Sequence, residues 1–215
     1  MSFATWIAFV FAASIIAVSP GSGAVLAMSH GLSYGVKKAA GTVLGLQLGL
    51  LLVLAIAGAG VGSLLLASEL AFNIVKTVGA LYLIYLGLSQ WFSRVEIAAP
   101  GAEAVVRQAA PPLRKRVLTG VLTNATNPKG IIFMVAVLPQ FIAKDAPLLP
   151  QLGILAVTMV VIDMIVMNGY AFLASSMQRF FRDARAVKKQ NRFFGGVLVL
   201  VGAALFFVKR GAAVA

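Results

Sequence analysis

The chain has 215 residues, 60% of them hydrophobic and only 11% charged, with a formal net charge of +12 and a mean hydropathy of +0.97. Soluble domains carry about a quarter of their residues as charges, so this composition belongs to an integral membrane protein. The absence of cysteine and the single histidine, His30, exclude disulfide frameworks, thiolate metal sites, cysteine nucleophiles and multi-histidine metal centres, so neither metal nor cofactor is expected.

A transmembrane helix needs about 20 mainly apolar residues. Six stretches qualify in chain order: 3–28, 40–66, 70–92, 117–141, 148–177 and 193–208. The first has no Lys or Arg ahead of its apolar run and reads as a retained helix, not a cleaved signal. It is interrupted by Ser19-Pro20-Gly21. His30 precedes the Lys37-Lys38 pair, which places it near the membrane interface. In the second stretch Gly41, Gly45 and Gly49 recur every four residues on one face, which suits close helix packing. Gln47 is a polar group at membrane depth there, either a helix-to-helix hydrogen bond or part of a cavity. The third contains Lys76, which either snorkels from its position six residues after Leu70 or has a function. The connection 93–116, with Pro100, Gly101, Pro111 and Pro112, divides the chain into repeats at 1–92 and 117–215. The fourth stretch is interrupted by Asn127-Pro128-Lys129, and the fifth carries Asp163, Asn168 and Tyr170. The sixth is short and extends through 211–215 if Lys209 and Arg210 snorkel.

The eighteen Lys and Arg residues cluster between apolar runs, a pattern of topology and not of nucleic-acid binding. Thirteen fall in three connections: Lys37 and Lys38; Arg94, Arg107, Arg114, Lys115 and Arg116; Arg179, Arg182, Arg185, Lys188, Lys189 and Arg192. Lys144, Lys209 and Arg210 lie on the opposite side. By the positive-inside rule both termini then face away from the cytoplasm, with the Lys209-Arg210 pair pulling the other way. Three spans per half require the halves to be inverted. The run Lys76–Gly79 also matches Arg192–Gly195 in its spacing. The expected fold is an all-α membrane protein with six transmembrane helices as two inverted three-helix repeats, the first and fourth helices broken at Pro.

Proline removes a backbone donor but suits the first turn of a helix, and Ser or Asn before it is a favoured N-cap. Each tripeptide therefore predicts a stop and a restart, at Pro20 and at Pro128. In hydrocarbon such a break survives only where it is buried in protein or lines a wet cavity, and paired breaks point to a transporter's substrate site. The restarting N–H groups and dipole would hold an anion, naturally a carboxylate. Pro128 lies roughly 16 Å in from Val117, about the middle of a ~30 Å core. Gly21, Ser22 and Gly23 offer close backbone approach and a hydroxyl. The competing reading is two kinks that only shape packing. Intramembrane Lys129 is a candidate to pair with a substrate carboxylate or with Asp163. Asp163 is a candidate to bind an ammonium group or exchange a proton.

Ser19-Pro20-Gly21, the segment Gly35-Val36-Lys37-Lys38-Ala39-Ala40-Gly41, Gly79-Ala80-Leu81-Tyr82-Leu83 with Tyr85-Leu86-Gly87, Asn124-Ala125-Thr126-Asn127-Pro128-Lys129 and Leu138-Pro139-Gln140-Phe141 together resemble the LysE-type translocators, the lysine exporter and homoserine/threonine resistance family. The resemblance covers nearly the whole chain. It implies a secondary exporter of amino acids or close derivatives in the bacterial inner membrane, with six helices and proton-motive energy. Asp163 followed by Tyr170-Ala171 resembles the family's fifth-span pattern. The chain departs from it at Ser22, where a second proline is frequent, and at Met164 and Ile165, where an aromatic often follows the Asp. These departures leave the particular substrate open.

The substrate-binding candidates are Ser19, Pro20, Gly21, Ser22, Asn124, Asn127, Pro128, Lys129 and Tyr170, with Asp163 as ion-coupling residue. The expected partners are a small amino acid and the lipid bilayer, with no nucleic acid; a homo-oligomer is compatible with the sequence. Two rivals differ in class. An intramembrane serine hydrolase using Ser22 and His30 fails because eight residues do not make neighbours on one helical face. A non-transporting scaffold predicts no function for Lys129 or Asp163.

Overall fold

The computed structural model describes residues 1–66, 69–92, 109–143, 145–176 and 184–207. Most of the connection 93–116, together with Arg94, Arg107, Lys144, Arg179, Arg182, Lys209 and Arg210, lies outside the described residues.

Among the described residues the protein is entirely helical, with eight α-helices. Helix α1 (Phe3–Val18) begins at Ser2, whose hydroxyl accepts from the Thr5 N–H at 3.1 Å. It stops at Ser19 because the residue before a proline is pushed out of the helical region, and Ser19 is extended at φ −67°, ψ 120°. Gly21 is extended too, and α2 (Ser22–Tyr34) starts only after it. This corrects the sequence expectation at the first break: the restart is at Ser22, not Pro20. Pro20 forces Ser19 out of the helix, and Gly21 prolongs the break by taking the N-cap place itself. The axis bends by 55° between α1 and α2. Gly35 then turns the chain with φ 81°, a left-handed value that favours glycine.

The long helix α3 (Val36–Leu66) and α4 (Glu69–Trp91) complete the first half. In the second half α5 (Leu113–Ala125) ends at Thr126, and α6 (Pro128–Ile132) restarts with Pro128 at its first turn, as expected. The Asn127 side chain caps it, accepting from the Lys129 N–H at 3.2 Å. The helix then widens to a π turn at Phe133–Val137 and tightens to a 3-10 turn at Leu138–Phe141. Pro139 is the cause, since it cannot donate to the ladder. The pair α5 and α6 with its extension bends by 50°. Helices α7 (Leu148–Ser176) and α8 (Ala184–Leu205) finish the chain. The turn into α7 is clamped by buried Gln151, which accepts from the Ala143 N–H at 2.9 Å and donates to the Ala143 and Ala146 carbonyls at 3.0 Å.

The stretches Val36–Gly60 and Leu148–Ser176 are each long and apolar enough to cross a membrane, and counting each bent pair as one span gives four. Helices α4 and α8 carry shorter apolar runs, Lys76–Ser89 and Asn191–Ala204, because Glu69, Asn73, Lys188 and Lys189 occupy their first turns. Many large side chains face outward, among them Phe11, Ile56, Ile165 and Leu200, all about two-thirds exposed or more. Apolar surface on that scale is stable where lipid is the solvent.

Glycine governs the helix pairs. Helix α3 packs along α5, α2 along α7 and α4 along α8. A Cβ on Gly45 would fall on the Val117 carbonyl of α5, and one on Gly120 would meet the Leu46 N–H region of α3. The face of Gly41, Gly45 and Gly49 is therefore the packing face that the four-residue repeat predicted. Gly87 and Gly195 meet in the same way between α4 and α8. Gly45→Val should force α3 and α5 apart and destabilise the protein by about 3 kcal/mol, the upper part of the overpacking range. Gly153, whose added Cβ would meet nothing within 4 Å, is the control. Thermal unfolding in detergent should show a lowered midpoint for Gly45→Val and none for Gly153→Ala.

Candidate functional site

The two breaks meet inside the helix bundle. A helix leaves its last four carbonyls without intrahelical partners and its C-terminal end partly negative. At the end of α1 those carbonyls are met by side chains from the other half of the chain. Lys129 Nζ donates to the Ile16 carbonyl at 2.9 Å and to the Ser19 carbonyl, and the Tyr170 hydroxyl donates to the Val18 carbonyl at 2.5 Å. A glycine at 21 makes this possible, since an added Cβ would stand 3.0 Å from Lys129 Cε and 3.1 Å from Nζ. The break in the first half is thus stitched to the restart in the second.

A cavity of about 50 Å³ lies beneath this junction. Its polar lining comes from Ser19, Asn124, Asn127, Lys129 and Asp163, and apolar walls from α1, α3 and α7 surround them. One cation and one carboxylate therefore share a small space with room for a few water molecules. On the other side of Lys129 opens a wider cavity of about 410 Å³, lined by Pro20, Ser22, Pro128, Ser89 and Asn191, within the size range of small-ligand sites. Gly21, Asn127 and Lys129 line both cavities. Lys129 is the one charged side chain common to both linings.

The neighbouring groups are tied down individually. Asn124 Nδ2 donates to the Leu46 carbonyl at 2.7 Å, fastening α5 to α3. Asp163 Oδ2 accepts from Gln47 Nε2 at 2.8 Å, fastening α7 to α3. His30 Nδ1 pairs with the Thr42 hydroxyl at 2.6 Å and its ring packs on Tyr34. Of the two restarts, that of α2 has no side-chain cap, whereas Asn127 occupies that of α6.

The candidate residues from the sequence divide accordingly. Ser19, Gly21, Asn124, Asn127, Lys129 and Asp163 come together around the inner cavity; Pro20, Ser22 and Pro128 line the wider one. Tyr170 lines neither and instead secures the end of α1. Lys76 is half-buried in α4, away from both linings. Three residues at the site were absent from the candidates. Gln47 carried a signal, a lone amide in an apolar run, whereas Ser89 and Asn191 stand at the ends of the apolar runs of α4 and α8, where polar residues are ordinary.

Residues 14–209 match the family described as LysE type translocator. The chain belongs to the LysE type translocator family. Among its relatives, a homoserine/homoserine lactone efflux protein of Salmonella typhi is 40% identical over 206 residues, covering 95% of this chain and 97% of the relative. An uncharacterized membrane protein of Vibrio cholerae is 39% identical over 209 residues, 97% of this chain and 100% of the relative. A leucine efflux protein of Enterobacter is 30% identical over 191 residues, 88% of this chain and 89% of the relative. No solved structure matches. The resemblance read from the five motifs is therefore family membership, and this LysE type translocator carries Lys129 and Asp163 at the meeting point of its two breaks.

Proposed function

We propose that this translocator is a secondary exporter of amino acids or close derivatives across the bacterial inner membrane, coupled to protons through Asp163. The observation that carries the reading is the polar cavity at the two breaks, with Lys129 and Asp163 in one lining. A zwitterionic amino acid presents the complementary charges. The relatives' names add a chemical restriction: homoserine, its lactone and leucine share an α-amino group, while the lactone has no free carboxylate. Asp163 is then the common anchor, taking the ammonium. Lys129 and the uncapped start of α2 take the carboxylate or carbonyl oxygen when Lys129 leaves the end of α1.

The architecture proposed is six spans in two inverted repeats, 1–92 and 117–215, joined by 93–116. Helix contacts support it: α3 packs on α7 and α4 on α8, as equivalent helices would about a twofold axis, and α5 lies on α3 as α1 lies on α7. The basic connections favour termini outside the cytoplasm. The wider cavity, bounded by Ser89 near the end of α4 and Asn191 at the start of the apolar run of α8, then opens toward the cytoplasm, where an exporter collects its cargo. A C-terminal alkaline phosphatase fusion is expected to be active and a fluorescent-protein fusion dark; the reverse pattern overturns the six-span arrangement.

The test of function is a toxicity screen. Expression in a susceptible bacterium should protect against at least one amino acid or analogue, homoserine first among them, and lower its concentration in the cells. Equal sensitivity with and without the protein across the full set of amino acids would overturn the reading.

A further inference from the structure

Gln47 is only 3% exposed. Its Nε2 donates to Asp163 Oδ2 at 2.8 Å, yet its Oε1 is buried with no hydrogen-bond partner among the described residues. Buried amide oxygens are ordinarily satisfied, and an orphan calls for an explanation. A primary amide and a carboxylic acid are complementary along one edge: the amide N–H faces the acid carbonyl and the acid O–H faces the amide carbonyl. Only the protonated acid has that O–H.

We propose that Gln47 is the positioning residue for the Asp163 proton. Protonated Asp163 donates Oδ1–H to Gln47 Oε1 while Nε2–H continues to donate to Oδ2, closing a two-point pair between α3 and α7. When Asp163 ionises, the proton leaves Oδ1 for the cavity that Asp163 lines, the Nε2–H bond remains, and Oε1 loses its donor. Turning the amide end for end sets oxygen against oxygen, which again requires a carboxyl proton. The pair thus records each gain and loss of the proton in the contact between α3 and α7, two helices of different halves.

Among the described residues few other charges reach Asp163. Lys129 of α6 lines the same cavity. Helix α1 has no titratable side chain along Phe3–Val18. Helix α2 brings His30, which is held at Thr42, about 7 Å along α3 from Gln47, and Tyr34 beyond it. Helix α3 has only Lys37 and Lys38, roughly 13 Å or more from Gln47 along the axis. Tyr170, on α7 itself, is tied to the Val18 carbonyl.

The inference rests on Asp163 as coupling residue, and two measurements separate the two ideas. Infrared difference spectroscopy of the reconstituted protein between high and low pH should show a protonated carboxyl band that Asp163→Asn removes. In Gln47→Leu that band should move to higher wavenumber, since the acid loses its partner. An unmoved band overturns the pairing and leaves the coupling role of Asp163 standing. The second measurement exchanges the two functional groups without changing either side-chain length: Gln47→Glu combined with Asp163→Asn. Gradient-driven homoserine transport in vesicles should be lost in Asp163→Asn and return in the double variant to about tenfold above it, the equivalent of one hydrogen bond. A double variant no better than Asp163→Asn overturns the pairing, whereas a full gradient response from Asp163→Asn overturns the coupling role itself.

Discussion

Lys129→Ala is expected to abolish export while the protein still inserts into the membrane. The side chain has two tasks at one place: its ammonium satisfies the Ile16 and Ser19 carbonyls at the end of α1, and it lines both the inner cavity and the wider one. Truncation leaves those carbonyls without their donor, at a cost of about 1–3 kcal/mol for an unsatisfied buried group. It also removes the cation that would meet the cargo's oxygen. Removing one partner of a desolvated charged contact costs about 2–5 kcal/mol, which is roughly 30-fold to several-thousand-fold in transport. Lys129→Met keeps most of the length and none of the charge, and should fail equally. Membrane fractions should contain both variants near parental amounts, and loaded cells should retain their homoserine. Full export by Lys129→Ala would remove the residue from the site.

Asp163→Asn should block concentrative efflux in vesicles with an imposed pH gradient while permitting downhill exchange. The substitution keeps size and hydrogen bonding, including a donor and an acceptor toward Gln47, but cannot change charge. Asp163 is the single acid in α7 and the single acid of the inner cavity, so no second carboxyl there can take over its proton. An acidic exterior should drive outward transport by the parent and leave Asp163→Asn unmoved. A response equal to the parent's would reduce Asp163 to a structural partner of Gln47.

Much of this arrangement was legible in the sequence because membrane helices leave strong marks. Long apolar runs gave the helices, the four-residue glycine repeat gave the α3–α5 face, and Asn127-Pro128 gave a capped restart at the residue where it occurs. The first break is longer than its proline alone predicts. A proline can start a helix, but Pro20 is followed by Gly21, whose extended backbone delays the restart to Ser22. Local preference allowed either outcome, and tertiary contact decided it, since the space above Gly21 is filled by Lys129. The role of Tyr170 was hidden for the same reason: its partner is the Val18 carbonyl, 152 residues away, and spacing along one helix says nothing about that. The shorter apolar cores of α4 and α8 were blurred by polar residues in their first turns. Gln47 stood out as a polar residue, but only its contact with Asp163 shows which acid it serves.

The most direct measurement is protection of the break by the cargo. The chain contains no cysteine, so Ser22→Cys places a single thiol where Ser22 lines the wider cavity. In vesicles oriented with the cytoplasmic face accessible, a charged thiol reagent should label this position, and homoserine, or the amino acid singled out by the toxicity screen, should slow the labelling in proportion to its occupancy. A labelling rate unchanged at concentrations that saturate transport would contradict the placement of the substrate site at the two breaks.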